Sequence, residues 1–232
     1  MSLLHLDHVS YIYEKTTKPV LDGITADFDA GKLYAIIGKS GAGKTTLLSL
    51  ISGLDVCTKG QICYNGRDLK EVNRDKYRAL NIGVVFQSYN LLMNASAAEN
   101  VILAMNLAGD RNKEKKETAY KLLAKVGIDK ETADRKILKL SGGEQQRTGI
   151  ARAISHNPDI LIADEPTGNL DAGTEREIME IILRLVKNEK RCVILVTHSH
   201  RVASYADVVL GLSNGRLITV NQKEDFSYEE NR

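Results

Sequence analysis

Uninterrupted runs of apolar residues mark the buried strands of this chain. Residues 33–37, 159–163 and 192–197 form three such runs, and residues 174–186, between the last two, carry apolar residues at helical spacing. Strands covered by helices on both faces lose the alternation of apolar and polar residues. The pattern therefore predicts an α/β core built on a parallel sheet.

Antiparallel hairpins accompany this core. Asn-Gly pairs at 65–66 and 214–215 each stand between β-type segments, and Asn-Gly is a strong hairpin signal because both residues accept positive φ angles. Residues 3–13 and 20–28 predict two more strands before the first core strand. We therefore expect a mixed sheet together with an N-terminal antiparallel β subdomain.

Helical periodicity appears after each of the two glycine-rich segments and between them. A helix over residues 45–52 follows the first core strand. Three more segments have helical spacing, at 97–107, 114–126 and 141–155. The last of these is expected to run to the stop that Pro158 imposes.

The order of these segments predicts one domain over residues 1–232. Its catalytic core is expected at about 1–87 and 157–220, with a helical subdomain inserted at about 88–156. The polar segment 221–232 is expected to be a loosely ordered tail. A chain of 232 residues suits a single α/β domain of this kind.

Composition narrows the classes of protein that fit. The chain is 43% hydrophobic and 27% charged with a net charge of +2, which fits a globular fold and is too small a charge to indicate nucleic acid. No run approaches the roughly 18 apolar residues that span a bilayer, so we expect a cytosolic protein unless a partner holds it at a membrane. Cys57, Cys63 and Cys192 include no C-x-x-C pair and are expected to be reduced packing residues.

A phosphate-binding loop is predicted at residues 38–45, which read GKSGAGKT and fit G-x-x-x-x-G-K-[ST] between a strand and a helix. Glycines allow backbone amides to surround an anion, Lys44 can neutralise the β and γ phosphates, and the Thr45 hydroxyl can bind Mg²⁺. The motif alone leaves kinases, GTPases and many ATPases open. The candidate nucleotide-binding residues in this segment are Gly38, Ser40, Gly41, Gly43, Lys44, Thr45 and Thr46.

Two acidic residues end the strand predicted at 159–163. Asp164 lies where a strand-end carboxylate holds Mg²⁺, directly or through water. Glu165 can then act as a general base or orient the water that attacks the γ-phosphate. The alternative is an acidic N-cap of the next helix.

A second anion site is predicted at the start of the helix over 141–155. Ser141 and Glu144 have capping-box spacing, and Gly142 and Gly143 leave the helix end without side chains. An ordinary capped helix would explain Ser141 and Glu144 but not the paired glycines. Two separate anion sites indicate either two ligands or one ligand shared between two copies of the chain.

These motifs, and the order in which they occur, resemble those of the ATP-binding cassette family. The resemblance covers nearly the whole chain. The phosphate loop at 38–45, the LSGG segment at 140–143, the acidic pair at 164–165 and a histidine after the next apolar strand, His198, all match. The resemblance implies ATP hydrolysis with Mg²⁺. It also implies a homodimer formed with ATP, in which each ATP lies between the phosphate loop of one copy and residues 141–143 of the other.

Further roles follow from the resemblance residue by residue. Gln87 matches the glutamine that senses Mg²⁺ and the attacking water, with a polar strand end as the alternative. Tyr13 matches the aromatic residue that stacks on adenine, although Tyr11 on the same predicted strand face is a possible substitute and strand packing is another interpretation.

Two more positions are assigned in the same way. Asp171 matches the loop that crosses to the opposite site. His198 matches the histidine that contacts the γ-phosphate. A structural histidine, or a metal site formed with His200, is the alternative for His198, but no third ligand with zinc-like spacing is visible.

Residues 86–92 and 163–171 resemble one branch of the family, which powers lipoprotein release, export of macrolides and antimicrobial peptides, or haem efflux. That branch implies an integral-membrane permease on a separate chain, a place on the cytoplasmic face of the membrane, and no nucleic acid. The chain departs from the pattern at Glu144, at 148–149, and at 93–96, where a proline-containing segment is usual.

Other cassette ATPases are the remaining alternatives. A DNA-repair ATPase would need a long coiled-coil insertion, and residues 53–139 contain no sustained heptad pattern. A translation-associated protein would carry two cassettes, whereas each motif occurs once here. An intact Glu165 argues against a regulatory cassette without hydrolysis.

Overall fold

The computed structural model describes residues 2–14 and 16–220 of the chain, so the predicted tail at 221–232 lies outside the described residues. The strands, in chain order, are β1 Leu4–Tyr11, β2 Leu21–Phe28, β3 Leu33–Ile37, β4 Lys59–Tyr64, β5 Arg67–Asp68, β6 Ile82–Val85, β7 Ile160–Asp164, β8 Cys192–Val196, β9 Val208–Ser213 and β10 Arg216–Thr219. The helices are α1 Lys44–Ile51, α2 Arg74–Asn81, α3 Ala97–Leu107, α4 Lys115–Lys125, α5 Lys130–Ala133, α6 Gly142–Ala153, α7 Ala172–Glu189 and α8 His200–Ala203, with a 3-10 turn at Ile137–Lys139.

A six-stranded sheet forms the centre of the fold, in the order β10-β9-β3-β8-β7-β6. The five strands from β9 to β6 are parallel to one another, and β10 pairs antiparallel with β9 through the predicted hairpin. A second sheet, in the order β2-β1-β4-β5, is antiparallel throughout. The mixed α/β fold predicted from the apolar runs is therefore confirmed.

Alternate residues of β3 enter two separate hydrophobic cores. Tyr34 and Ile36 belong to a cluster that also contains apolar residues of α1 and of the antiparallel sheet. Leu33 and Ala35 belong to a cluster on the other face, which contains apolar residues of α3, α4, α6 and α7. The central sheet is thus covered on both faces, which explains why its strands read as continuous apolar runs.

Segment 88–156 carries α3 to α6 and packs on the second of these cores. Capping boxes begin two of its helices, with Ser96 and Glu99 at α3 and Ser141 and Glu144 at α6. Its boundaries as a separate subdomain remain a prediction. Within residues 2–14 and 16–220, no helix is both long and apolar enough to cross a membrane.

Several predicted boundaries were wrong. The first strand ends at Tyr11 instead of residue 13, because Tyr11 pairs with Leu21 at the start of β2 and the chain then turns. Helix α6 ends at Ala153, four residues before Asn157, which has a positive φ of 57°. Helix α7 begins at Ala172, two residues earlier than predicted, because its N-cap is Asp171.

Candidate functional site

The candidate catalytic residues meet at one edge of the central sheet. Parallel register aligns Ile36 with Val196, Val196 with Asp164, and Ala163 with Val85. The phosphate loop, the acidic pair, His198 and Gln87 all follow within a few residues of those positions. The site therefore lies at the carboxyl ends of the strands, where parallel α/β sheets generally bind ligands.

Glycine conformations shape the phosphate loop between β3 and α1. Gly43 is the N-cap of α1 with a φ of 101°, and it supplies no side-chain oxygen to the first turn, which carries no acidic residue. Lys44 Nζ donates to the carbonyl oxygens of Gly38 at 2.6 Å and Lys39 at 3.0 Å. The loop thus curls around the ammonium group, and the helix presents backbone amides without a competing acceptor of its own.

A cleft of about 890 Å³ opens beside this loop. Tyr13, residues 38–42 and His198 are among its lining residues, whereas Tyr11 is not. Tyr13 is 47% exposed, and its hydroxyl group is 2.8 Å from Thr46 Oγ1 at the start of α1. Of the two rings, Tyr13 is therefore the one that faces the cleft, whereas the Tyr11 hydroxyl donates to Asp55.

The acidic pair at the end of β7 has two different environments. Burial, together with the neighbouring Glu165 charge, raises the pKa of Asp164, which Lys44 opposes. Glu165 adopts a positive φ of 47°, a conformation that costs about 1 kcal/mol for a residue with a side chain. Its carboxylate lies 2.9 Å from His198 Nδ1, so two of the three residues predicted to be catalytic are in direct contact.

Gln87 lies beside the segment that follows Glu165. A Cβ placed on Gly168 would approach Gln87 Nε2 to 3.0 Å, and the Gly168 amide donates to the Glu165 carbonyl oxygen. Gln87 itself is exposed. The side chain is therefore next to the acidic segment and accessible to a ligand.

Residues 141–143 lie at the exposed N-terminal end of α6. Ser141 Oγ accepts from the Glu144 amide at 3.3 Å, and Glu144 Oε2 accepts from both the Ser141 amide and its hydroxyl at 2.7 Å. These hydrogen bonds lower the pKa of Glu144. Among the residues that the structure describes, the lining of the cleft includes none of 141–143.

Asp171 is the N-cap of α7, and it holds Thr174, which lies next to the N-terminal end of α6. Its carboxylate accepts from the amides of Gly173 and Thr174 and from the Thr174 hydroxyl at 2.6 Å, which lowers its pKa. A Cβ on Gly143 would lie 2.7 Å from Thr174 Cγ2. Asp171, which is predicted to cross to an opposite site, thus also holds Thr174, whose methyl group lies close to Gly143 of α6.

Some cleft residues were not identified from the sequence. Lys18, His200 and the hairpin residues 211–215 also line the cleft. The Asn-Gly pair predicted where in the sequence the hairpin lies but not that the hairpin borders the cleft. The cleft position depends on the pairing of β9 with β3, which local sequence patterns do not reveal. The ion pair between Glu175 and Arg201, at 2.7 Å, was also missed.

Comparisons with known proteins identify the family of the chain. The family model described as ABC transporter matches residues 21–168. The chain is 43% identical over 215 residues to the uncharacterized ABC transporter ATP-binding protein YclH of Bacillus subtilis, covering 93% of this chain and 95% of that protein. It is 40% identical over 224 residues to the macrolide export ATP-binding/permease protein MacB of Syntrophobacter fumaroxidans, covering 93% of this chain and 31% of MacB.

A solved structure gives the same result. The ATP-binding cassette MJ0796, as a dimer in a post-hydrolysis state bound to ADP and Pi, superposes with a TM-score of 0.85 at 30% identity over 94% of this chain and 98% of that chain. Sequence and structure therefore agree on the same family and on ATP as the nucleotide. The chain belongs to the ABC transporter family, in which it is an ATP-binding and ATP-hydrolysing component.

Proposed function

We propose that two copies of this chain bind ATP between them, head to tail, and that hydrolysis at the shared sites drives a membrane permease. The observation that carries the proposal is the separation of the two anion-binding features within one copy. Residues 141–143 are largely exposed, and they are not among the described residues that line the cleft. A complete site then requires the cleft of one copy and the α6 end of another.

The geometry supports the following proposed roles within each site. The amides of the phosphate loop and Lys44 bind the phosphates, and Tyr13 stacks on the adenine. Glu165 orients the attacking water and accepts its proton. His198, which is 70% exposed in its side chain and held by Glu165, contacts the γ-phosphate.

Mg²⁺ fits the residues near Asp164. Burial and the Glu165 charge disfavour the ionised Asp164 carboxylate, so a divalent cation would relieve the repulsion at this position. The Thr45 hydroxyl, the Gln87 amide oxygen and Asp164 are the proposed ligands, together with phosphate oxygens. The ion supplies charge neutralisation of the β and γ phosphates when it is bound.

The permease is the proposed membrane partner. No helix in residues 2–14 and 16–220 can span a bilayer, and MacB carries ATP-binding and permease functions in one protein. We therefore place this chain at the cytoplasmic face of the membrane, bound to a separate permease. Export or extraction of a peptide, lipoprotein, drug or haem is the proposed task, in keeping with the branch that the sequence resembles.

Complementation between two defective variants tests the shared site. Lys44→Ala removes the phosphate-binding ammonium, Ser141→Arg blocks the α6 end, and both are made in a Glu165→Gln background so that ATP is retained. Neither variant alone should form an ATP-dependent dimer, whereas an equal mixture should, because one intact site is rebuilt per mixed dimer. Analytical ultracentrifugation with and without MgATP measures this.

Asn112→Arg serves as the matched control, since it adds the same charge on the exposed segment before α4. It should dimerise as the parent does. Dimers formed by Ser141→Arg alone, or no dimer in the mixture, would contradict the shared site.

A further inference from the structure

An ion pair outside the nucleotide cleft joins α7 to α8. Arg201 Nε lies 2.7 Å from Glu175 Oε1, where the side chain of Glu175 is 11% exposed and that of Arg201 is 61% exposed. Glu175 belongs to the first turn of α7, and its amide donates to the carbonyl oxygen of the cap residue Asp171. A nearly buried carboxylate without a cation is strongly disfavoured, so Arg201 is held at this position.

Two longer segments, one from the end of β7 through α7 and one from the end of β8 through α8, contain these helices and are joined a second time at the catalytic edge. Glu165, in the segment between β7 and α7, contacts His198, in the segment between β8 and α8, at 2.9 Å. Only Ser199, the N-cap of α8, and the first residue of that helix separate His198 from Arg201. The Glu175–Arg201 and Glu165–His198 pairs therefore bridge the same two segments.

Tertiary contacts position the short helix α8: its Val202 and Ala203 are buried in the core, and its Arg201 pairs with Glu175. It contains four residues, His200–Ala203, and the Val202 amide donates to the side chain of its N-cap, Ser199 Oγ, at 3.3 Å. A helix of one turn is not stable by itself, so its position depends on tertiary contacts. The position of His198, at the start of this turn, depends on them too.

We propose that the Glu175–Arg201 ion pair is a positioning device for hydrolysis: it holds α8 against α7 so that His198 remains in contact with Glu165. Neither residue of the pair lines the cleft, so the pair acts through Glu165 and His198. This inference rests on the proposed roles of Glu165 and His198. It predicts a loss in the chemical step and little change in nucleotide binding.

Steady-state ATP hydrolysis by the full chain tests this role. Glu175→Gln keeps the shape of the side chain and removes the buried negative charge. Arg201→Gln removes the positive charge of a side chain that is mostly exposed. Each should lower kcat about fivefold while KM for ATP changes by less than about twofold, as expected for a coupling residue remote from the ligand. The double variant should be no slower than either single variant, because the two residues act as one unit.

Lys125→Gln provides the matched control at the other end of α7. Lys125 Nζ lies 3.2 Å from Glu189 Oε1, and Glu189 keeps a second partner in Arg191 when Lys125 is changed. This variant should retain the parental kcat. A purely stabilising role for the Glu175–Arg201 pair would lower the melting temperature of both single variants but leave kcat unchanged, and that result would overturn the proposal.

Comparing these variants with Glu165→Gln distinguishes failure of the positioning role from failure of the proposed function. If Glu165→Gln abolishes hydrolysis while Glu175→Gln and Arg201→Gln leave kcat unchanged, the positioning role fails and the catalytic assignment stands. Substantial hydrolysis by Glu165→Gln would remove the catalytic assignment, and the positioning role with it.

Discussion

The hydroxyl groups of Tyr13 and Thr46 lie 2.8 Å apart. This hydrogen bond ties the turn after β1 to the first turn of α1, which begins in the phosphate loop. The Tyr13 ring also meets the Tyr11 ring edge to face, with centroids 5.0 Å apart. The aromatic wall of the cleft is thus fixed to the phosphate-binding segment from one side and supported by Tyr11 from the other.

Tyr13→Ala should weaken nucleotide binding. Loss of a base–aromatic stack costs about 1 to 2 kcal/mol, or about tenfold in Kd. Tyr13→Phe keeps the ring and should bind nearly as well, and Tyr11→Phe, which keeps the edge contact, should match the parent. Fluorescent ATP titration measures all three, and an equal loss in Tyr11→Phe and Tyr13→Ala would show that the wrong ring was chosen.

Glu165→Gln should bind MgATP but hydrolyse it at least about 100-fold more slowly, because the amide cannot accept the proton of the attacking water. Glu180→Gln, at an exposed position of α7, is the matched control and should keep the parental rate. Phosphate release at saturating ATP measures both. Hydrolysis by Glu165→Gln within about threefold of the parent would contradict general-base catalysis by this residue.

Gly143→Ala should impair hydrolysis through a steric conflict with α7. The new Cβ would lie 2.7 Å from Thr174 Cγ2, and Thr174 is held by Asp171. Thr174→Ser removes that methyl group and keeps the hydroxyl, so the double variant should recover ATP-dependent dimerisation. Recovery is measured by sedimentation with MgATP, and a double variant as defective as Gly143→Ala would exclude this conflict as the cause.

Stability should fall below about pH 6.5 because of His156. The residue is half-buried, its Nδ1 is buried without a partner, and burial lowers its pKa. Below the ordinary pKa of histidine the unfolded chain binds a proton that the folded chain does not, so unfolding becomes more favourable as the pH falls towards the lowered pKa.

Urea unfolding between pH 5 and 8 checks this expectation. His156→Gln should flatten the dependence of the midpoint on pH in this range. An unaltered slope in His156→Gln would assign the acid sensitivity to other groups.

Strands and helices with a clear local signal in the sequence were predicted with the correct bounds in two cases, β3 and α3. Strand β3 matches its predicted bounds because an apolar run is enclosed by turns, and α3 matches because Ser96 and Glu99 form a capping box before an apolar periodic segment. Helix α2 was missed since Tyr77 is its one buried residue and no apolar stripe exists. Strand β6 follows it directly and was not separated from its surroundings.

Contacts between residues that are far apart in the sequence could be identified only from the structure. Alternation alone could not choose between Tyr11 and Tyr13, because the end of β1 is set by its pairing with Leu21. The partnership of Glu175 with Arg201 spans two elements and leaves no trace in the spacing of either segment. The motifs, by contrast, were recognisable because phosphate binding restricts residue types within a single loop.

The exposed position of residues 141–143, outside the cleft of their own copy, has a consequence for mixed populations. In the proposed pair, a chain that is defective at Ser141 spoils the site of its neighbour while its own cleft stays intact. If normal and defective chains pair at random, the fraction of dimers with two intact sites equals the square of the fraction of normal chains. A lesion at this helix end should behave as dominant over the normal protein in a cell that makes both.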